Sequence, residues 1–316
     1  VNVDLVSAQT SDGIRLDGAL RKPAADRAPR LDVDAVIFHH GVAGNFYNPS
    51  FVDRIGDELL AFGCAVLRVN NRGHDGAYNA MRRGTDNYSQ VLEERRERAP
   101  LGAAFEIVDD PRLDFRAWID FAEAAGYRRV ALWGHSLGAV KNIYYLANEA
   151  DARVRWAVAS SPPRQRYRAY LDMPLGEEFT ATLQRATDLI ERGEPEGLLR
   201  VRLPNPNIFS ARTYVDKYGP QERYDVIKHL PKVQVPLLLT LGGEEGATAG
   251  SADAASMWRW AEELGPAAEA QANLTFRLIE GADHFYTGRV PALWSAVSTW
   301  LEQMTTVNAP GRGVNR

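Results

Sequence analysis

Apolar residues along this chain fall into two alternating rhythms. Short β-rich runs, such as Ile14–Leu20, Ala35-Val36-Ile37-Phe38 and Cys64–Val69, alternate with stretches whose apolar positions recur at helical spacing. A continuous apolar run is the pattern of a strand buried on both faces. The helical stretches cover Pro49–Phe62, ended by Gly63, then about Asp109–Ala125, ended by Gly126, then Leu137–Asn148. In the second of these, Leu113, Trp118, Ile119 and Ala122 form one apolar stripe. Further strands are expected at Arg129–Trp133, Val154–Ala159, Val235–Leu241 and Leu274–Ile279, with helices at Ala252–Leu264 and Val290–Met304. Repeated strand–helix units predict an α/β fold with a mostly parallel central sheet and helices on both faces.

The rhythm breaks twice. Residues 70–108 are irregular and polar, and Glu93-Glu94-Arg95-Arg96-Glu97-Arg98 reads as a solvated helix face. Residues 164–232 follow Ser160-Ser161-Pro162-Pro163, are richer in charge and turns, and contain a helical stretch around Glu178–Arg192. That is far longer than the usual connection of about 2–6 residues. The organisation expected is a core of residues 1–163 and 233–304, an inserted cap at 164–232, and a disordered tail at 305–316.

The bulk numbers narrow the function classes. The chain has 316 residues, 45% of them hydrophobic, enough for one core plus a modest insertion. A net charge of −4 lacks the basic excess of a nucleic-acid surface. The single cysteine, Cys64, excludes an internal disulfide framework and reads as a small buried hydrophobe. No metal site of the Cys/His type can be assembled from it and six scattered histidines. No stretch approaches the roughly 18 apolar residues of a membrane span. The expectation is a cytoplasmic protein with a small-molecule substrate and neither a nucleic-acid nor a membrane partner. A leader removed before Val1 and a homo-oligomer both stay open.

The chemistry concentrates at Gly134-His135-Ser136-Leu137-Gly138, a G-x-S-x-G pattern between the apolar run Val130-Ala131-Leu132-Trp133 and a helical run. A strand–turn–helix context is what that motif requires. The turn is too sharp for side chains beside the serine, hence the glycines. The new helix aims its free N–H groups at the spot where negative charge would develop. Residues Gly134 to Gly138 resemble the nucleophile elbow of the α/β-hydrolase family, and the likeness in strand–helix order covers nearly the whole chain.

That resemblance implies a set of roles. His40-Gly41-Val42-Ala43-Gly44 matches the family's H-G-x-x-G loop, so the backbone N–H groups of Val42 and Leu137 would form the oxyanion hole. His39 and His40 point to opposite faces of a strand end, so they read as loop-holding residues and not as a metal pair. His284, in Glu280-Gly281-Ala282-Asp283-His284-Phe285, stands where the family has its base, with Ser136 as nucleophile. The acid would follow Pro236–Leu241, in Gly242-Gly243-Glu244-Glu245-Gly246. Counting G-x-x-E from Gly242 gives Glu245, with Glu244 second and Asp253 third. A glutamate must reach one methylene further than the commoner aspartate. Asp283 reads as a loop-forming residue and His135 as part of the elbow. No cofactor is implied.

Substrate contacts are less defined. His40, Asn45, Arg72 and Tyr167 are candidates. Arg72 lies in Asn70-Asn71-Arg72-Gly73-His74-Asp75-Gly76, which occupies the place of the family's D-R-G-x-G-x-S segment with Asn70 for the aspartate; a loop that braces the site is the plainer reading. Arg164, Arg166 and Arg168, interleaved with Tyr167 and Tyr170, could pair with an anionic substrate or form a solvated surface. His40-Gly41, Gly102-Ala103-Ala104-Phe105-Glu106 and Lys141-Asn142-Ile143-Tyr144-Tyr145 resemble the subfamily containing fungal siderophore esterases, which implies an ester in a polar natural product. The function expected is hydrolysis of a carboxylic ester through an acyl-enzyme. Alternatives are the same triad acting on a lactone, thioester, amide or activated C–C bond, and a non-catalytic receptor on the same scaffold.

Overall fold

A computed structural model describes residues 2–81, 98–245 and 254–307. The strands in chain order are β1 (Asp4–Gln9), β2 (Arg15–Arg21), β3 (Ala35–His39), β4 (Ala65–Val69), β5 (Tyr78–Met81), β6 (Arg98–Leu101), β7 (Val130–His135) and β8 (Val154–Ser160). Then come β9 (Leu198–Val201), β10 (Asn207–Ser210), β11 (Leu237–Gly242) and β12 (Leu274–Ile279). One sheet of eight strands runs in the order β1-β2-β4-β3-β7-β8-β11-β12. β1, β2 and β4 pair antiparallel, and every pairing from β4 to β12 is parallel.

Each central strand divides its side chains between two layers. On one face Ile37, Leu132 and Leu239 pack with α2 (Pro111–Ala124), α3 (Leu137–Asn148) and α8 (Ala254–Glu269) through Trp118, Ile143 and Leu264. On the other, Val36, Trp133 and Leu238 pack with α1 (Val52–Ala61) and α9 (Val290–Val307) through Leu59 and Val297. Burial of each such side chain contributes about 1.5–3 kcal/mol. Parallel strands covered on both faces put all their carboxyl ends on one edge, and that edge holds the loops that follow β3, β7, β8, β11 and β12.

The expected strands and helices are present, with ends shifted by a few residues; α9 continues to Val307 and α8 to Glu269. β1 is additional, and most of its side chains face solvent, so no apolar alternation marks it. The charge run Glu93–Glu97 and residues 308–316 of the expected tail lie outside the described residues. No described helix is long and apolar enough to cross a membrane.

The insertion contains α4 (Tyr167–Leu171), α5 (Gly176–Glu191), the β9–β10 hairpin, α6 (Ala211–Tyr218) and α7 (Val226–His229). It has an aromatic cluster of its own, built on Tyr170, Phe179, Phe209, Tyr214 and Tyr218. By Tyr224 the chain is back in the main core, because Tyr224, Val226 and Leu230 belong to the layer beneath α3. The body of the insertion therefore ends before residue 232. Its cluster also packs against Val42, which touches the main core as well.

Candidate active site

Ser136 occupies the turn from β7 into α3 with φ 56° and ψ −127°. A non-glycine residue in that region costs roughly 1–3 kcal/mol, so the surroundings must enforce it. They do so through backbone contact. A Cβ on Gly134 would lie 2.2 Å from the Gly138 carbonyl oxygen, and one on Gly138 would lie 2.3 Å from the His39 carbonyl oxygen. Ser136 N–H is pinned to the Ser160 carbonyl at 2.9 Å. The hydroxyl stands beside the loop after β3, where a Cβ on Gly41 would come within 3.2 Å of Ser136 Oγ.

That loop and the start of α3 supply two N–H groups. Among the described residues neither Val42 N–H nor Leu137 N–H meets an acceptor within the protein. The loop is folded by a Gly44 N–H bond to the Gly41 carbonyl at 3.2 Å, with Ala43 at φ 53°. His40 locks it to the next loop. Its Nδ1–H donates to the Gly41 carbonyl at 2.8 Å, and its Nε2 accepts Asn71 N–H at 3.0 Å. His39 is 2% exposed, stacks on Phe115 and bonds the Asn71 side chain at 3.1 Å. Burial, with a contribution from the Lys141 charge, pushes both imidazoles down to about 3, so both are neutral.

His284 and Glu245 meet across the ends of β12 and β11. The Nδ1–H of His284 donates to Glu245 Oε2 at 2.9 Å. The other oxygen, Oε1, accepts Gly242 N–H at 2.7 Å and the Ser161 hydroxyl. Ser161 Oγ lies 2.9 Å from Tyr286 OH, which lies 2.8 Å from Thr240 Oγ1. A chain of hydroxyls thus ends on the carboxylate. Ser161 and Tyr286 both hold left-handed backbones, φ 52° and 55°. Glu244 is exposed, whereas Glu245 is 6% exposed, and Asp253 lies outside the described residues. Asp283 folds the His284 loop by accepting Phe285 N–H at 3.0 Å and Thr287 N–H at 2.8 Å.

His135 connects the two halves. Its Nε2–H donates to the backbone carbonyl of His284 at 2.8 Å, and the two rings are 4.9 Å apart. Burial and the neighbouring His284 charge push His135 down to about 3. The His284 backbone is therefore anchored by the residue that precedes Ser136. Among the described residues no hydrogen bond joins Ser136 Oγ to the His284 ring; such bonds are often long before a substrate is bound. The His284 side chain keeps 29% of its surface exposed.

Of the expected substrate contacts, three are committed elsewhere. Both ring nitrogens of His40 are used by the loops. Asn45 is buried and spans Asp75 and Asn48 N–H, at 2.8 Å each. Arg72 is 4% exposed and grips Asp114 through its own N–H at 2.7 Å and Nε at 2.9 Å, and Asp12 at 3.0 Å. These bonds tie its loop to α2 and to Asp12, as the plainer of the two readings expects. Tyr167 packs on Phe179 in the insertion. Arg164 and Arg166 are both neutralised by Glu263, Arg166 also by Asp225, while Arg168 is exposed. No pattern along the chain singles out Ser161, Thr240 and Tyr286, or the anchoring role of His135.

The comparisons with known proteins agree with this architecture. No curated protein sequence matches the chain. Among solved structures, Est1E from Butyrivibrio proteoclasticus is similar at 17% identity with a TM-score of 0.61, over 95% of this chain and 99% of that one. The alpha/beta hydrolase GrgF from Penicillium sp. sh18 is similar at 15% identity with a TM-score of 0.63, over 96% and 99%. The Pyrococcus furiosus esterase Pf2001 is similar at 19% identity with a TM-score of 0.54, over 96% and 92%. At these identities the likeness speaks for the fold. The model of the alpha/beta hydrolase family matches residues 36–296, from β3 into α9 and so across every loop described above, and the chain belongs to that family.

Proposed function

We propose that this protein is a serine hydrolase that cleaves a carboxylic ester through an acyl-enzyme, with Ser136 as nucleophile, His284 as base and Glu245 as the acid that orients it. The observation that carries the reading is the 2.9 Å bond from His284 Nδ1–H to Glu245, which leaves Nε2 as the free base on a residue whose backbone is anchored to the one before Ser136. In the first step Ser136 Oγ bonds to the ester carbonyl carbon while its proton passes to His284 Nε2. The carbonyl oxygen becomes an anion facing the Val42 and Leu137 N–H groups. The alcohol leaves with the proton from His284. Water, deprotonated by the same nitrogen, then releases the acid and restores Ser136.

The ester class is favoured by the similar proteins: Pf2001 is an esterase by name, and Est1E is known with ferulic acid bound. The insertion would act as a cap, since its aromatic cluster rests on Val42 itself. The test is release of acid from a short aryl acetate by the wild type and by Ser136→Ala. The expected loss is on the order of 10⁶ in kcat, by analogy with other serine nucleophiles, together with loss of fluorophosphonate labelling. Equal turnover by the two proteins would overturn the assignment. Labelling of the wild type without turnover of any ester would point to another acyl bond.

A further inference from the structure

Phe285, the residue after His284, is 64% exposed, more than any other aromatic side chain among the described residues. A lone exposed apolar residue needs no explanation by itself. This one, however, is held in a set position. Asp283 Oδ1 accepts the Phe285 N–H at 3.0 Å and the Thr287 N–H at 2.8 Å. Before it, the His284 carbonyl accepts His135 Nε2–H at 2.8 Å. After it, the Tyr286 ring is fully buried, with its hydroxyl bonded to Ser161 and Thr240. With the backbone fixed on both sides, the loop presents Phe285 outward.

The ring stands beside the base. It lies edge-on to the His284 ring, with centres 5.1 Å apart and planes at 85°, and 5.7 Å from the His135 ring. Phe51, at the start of α1, places its ring 5.0 Å from that of His135. Phe51, His135 and Phe285 therefore form a row of rings from α1 to the loop after β12. Further along that loop Thr287, Gly288 and Arg289 are exposed and not apolar, so Phe285 does not belong to a longer apolar stretch that a protein partner would need.

In the proposed reaction the departing alcohol takes its proton from His284 Nε2, so its oxygen lies against that ring as the bond to the carbonyl carbon breaks. The Nδ1 edge of the ring is closed by Glu245. The carbonyl oxygen is directed to the Val42 and Leu137 N–H groups. What borders the imidazole is thus met by the alcohol. We propose that Phe285, with His135 beside it, is the specificity-determining residue for the leaving group, and that the substrates are esters of an aromatic alcohol whose ring packs on Phe285. The inference rests on the serine-hydrolase reading. An aromatic ring covers the exposed face of Phe285 in the offset or edge-to-face geometry that a short aliphatic alcohol does not reproduce.

The test varies the alcohol and keeps the acyl group. Phenyl acetate and trifluoroethyl acetate form the same acetyl-enzyme and differ only in what leaves. In Phe285→Ala the ratio of kcat/KM for the phenyl ester to that for the trifluoroethyl ester should fall about tenfold. Phe285→Tyr, which keeps the ring, should restore it. The loss belongs to acylation, because the alcohol has gone before water attacks; hydrolysis of the acetyl-enzyme, read from the steady state after the burst of phenol, should not share it. Where acetates turn over too slowly, a para-nitrophenyl alkylphosphonate and the matching fluorophosphonate give the same ratio from a single labelling of Ser136. An unchanged ratio overturns the proposal, whether neither ester is affected or both lose equally, the latter marking a loop that only supports the base. A ratio that Phe285→Tyr fails to restore overturns it as well. Ser136→Ala is measured alongside: if it retains activity, the serine-hydrolase reading itself fails, whereas an inactive Ser136→Ala beside an unchanged ratio sinks this inference alone.

Discussion

The two halves of the site are built from different materials. What we propose as the nucleophile half, at the ends of β3 and β7, is made of tight turns: glycines in close contact, a strained Ser136 and two N–H groups that meet no acceptor among the described residues. What we propose as the acid–base half, at the ends of β8, β11 and β12, is made of side chains: Glu245 held by Ser161, with Tyr286 and Thr240 behind it. The first half tolerates no added atom, and the second depends on hydroxyls arriving in register. The contrast extends to the histidines. His39 is buried and His40 and His135 are half-buried, and all three are held neutral, while the half-buried His284 keeps 29% of its side chain exposed.

After removal of Ser136 itself, the largest effect should come from the acid–base half. Glu245→Gln retains the shape but offers an N–H₂ group in place of one carboxylate oxygen. It favours the imidazole with its proton on Nε2, the wrong tautomer for a base. kcat on an aryl acetate should fall by about 10⁴, while Glu244→Gln, on an exposed neighbour, should leave it unchanged. A loss under tenfold for Glu245→Gln would assign the acid elsewhere.

Next is the acid stability of the nucleophile half. Each of its three histidines titrates near 6.5 when unfolded and near 3 when folded. Between those values the unfolded chain binds more protons, so stability is complete above about pH 6.5 and is lost as pH falls toward 3. One such group contributes at most about 1.4 kcal/mol per pH unit. Glu106, pushed up by burial but held down to about 2 by Lys141 and Lys217, adds a further loss below about 4.5. Melting temperature should therefore drop steeply from pH 7 to pH 4.5. A flat profile over that range would contradict the neutral histidines.

A smaller effect tests the close approach of the Gly41 loop to the Ser136 side chain. In Gly41→Ala the new Cβ would sit 2.8 Å from Ser136 Cβ and 3.2 Å from Oγ, so the hydroxyl or the loop must shift. Small displacements of reacting groups cost about 10² in rate. The loss should appear in kcat, with the melting temperature little changed. Wild-type kcat in this variant would show that the loop has room to spare.

The same contrast decides what is legible in the sequence. Glycines forced by close contact leave fixed spacings, so Gly134, Gly138, Gly41 and Gly44 mark the elbow and the proposed oxyanion loop along the linear chain. His284 is legible because it falls between a strand and a helix, and Glu245 because the count from Gly242 reaches it. Ser161, Tyr286 and Thr240 are not, since hydroxyl residues from two loops and from strand β11 meet only through the sheet order β8-β11-β12. Arg72 is half legible for a related reason: bracing is the plainer reading of its loop, but only the fold brings it the partners Asp12 and Asp114.

The hydroxyl chain should yield the smallest loss. Glutamate has one more rotatable bond than aspartate, so its carboxylate needs more restraint to present Oε2 to His284. Gly242 N–H and Ser161 provide that restraint on Oε1, and Tyr286 OH orients Ser161. Tyr286→Phe removes the third link and leaves the first two, so kcat should fall by about fivefold, the worth of one neutral hydrogen bond near 1 kcal/mol. Ser161→Ala removes a direct link and should cost more. KM should not move in either, because neither hydroxyl faces the substrate. If Tyr286→Phe loses as much as Ser161→Ala, the chain acts as one unit and the acid–base half is as intolerant as the glycine turn. If it loses nothing, Gly242 N–H and Ser161 suffice, and the strained backbone of Tyr286 serves the packing of its ring against Phe51, with the two ring centres 5.2 Å apart.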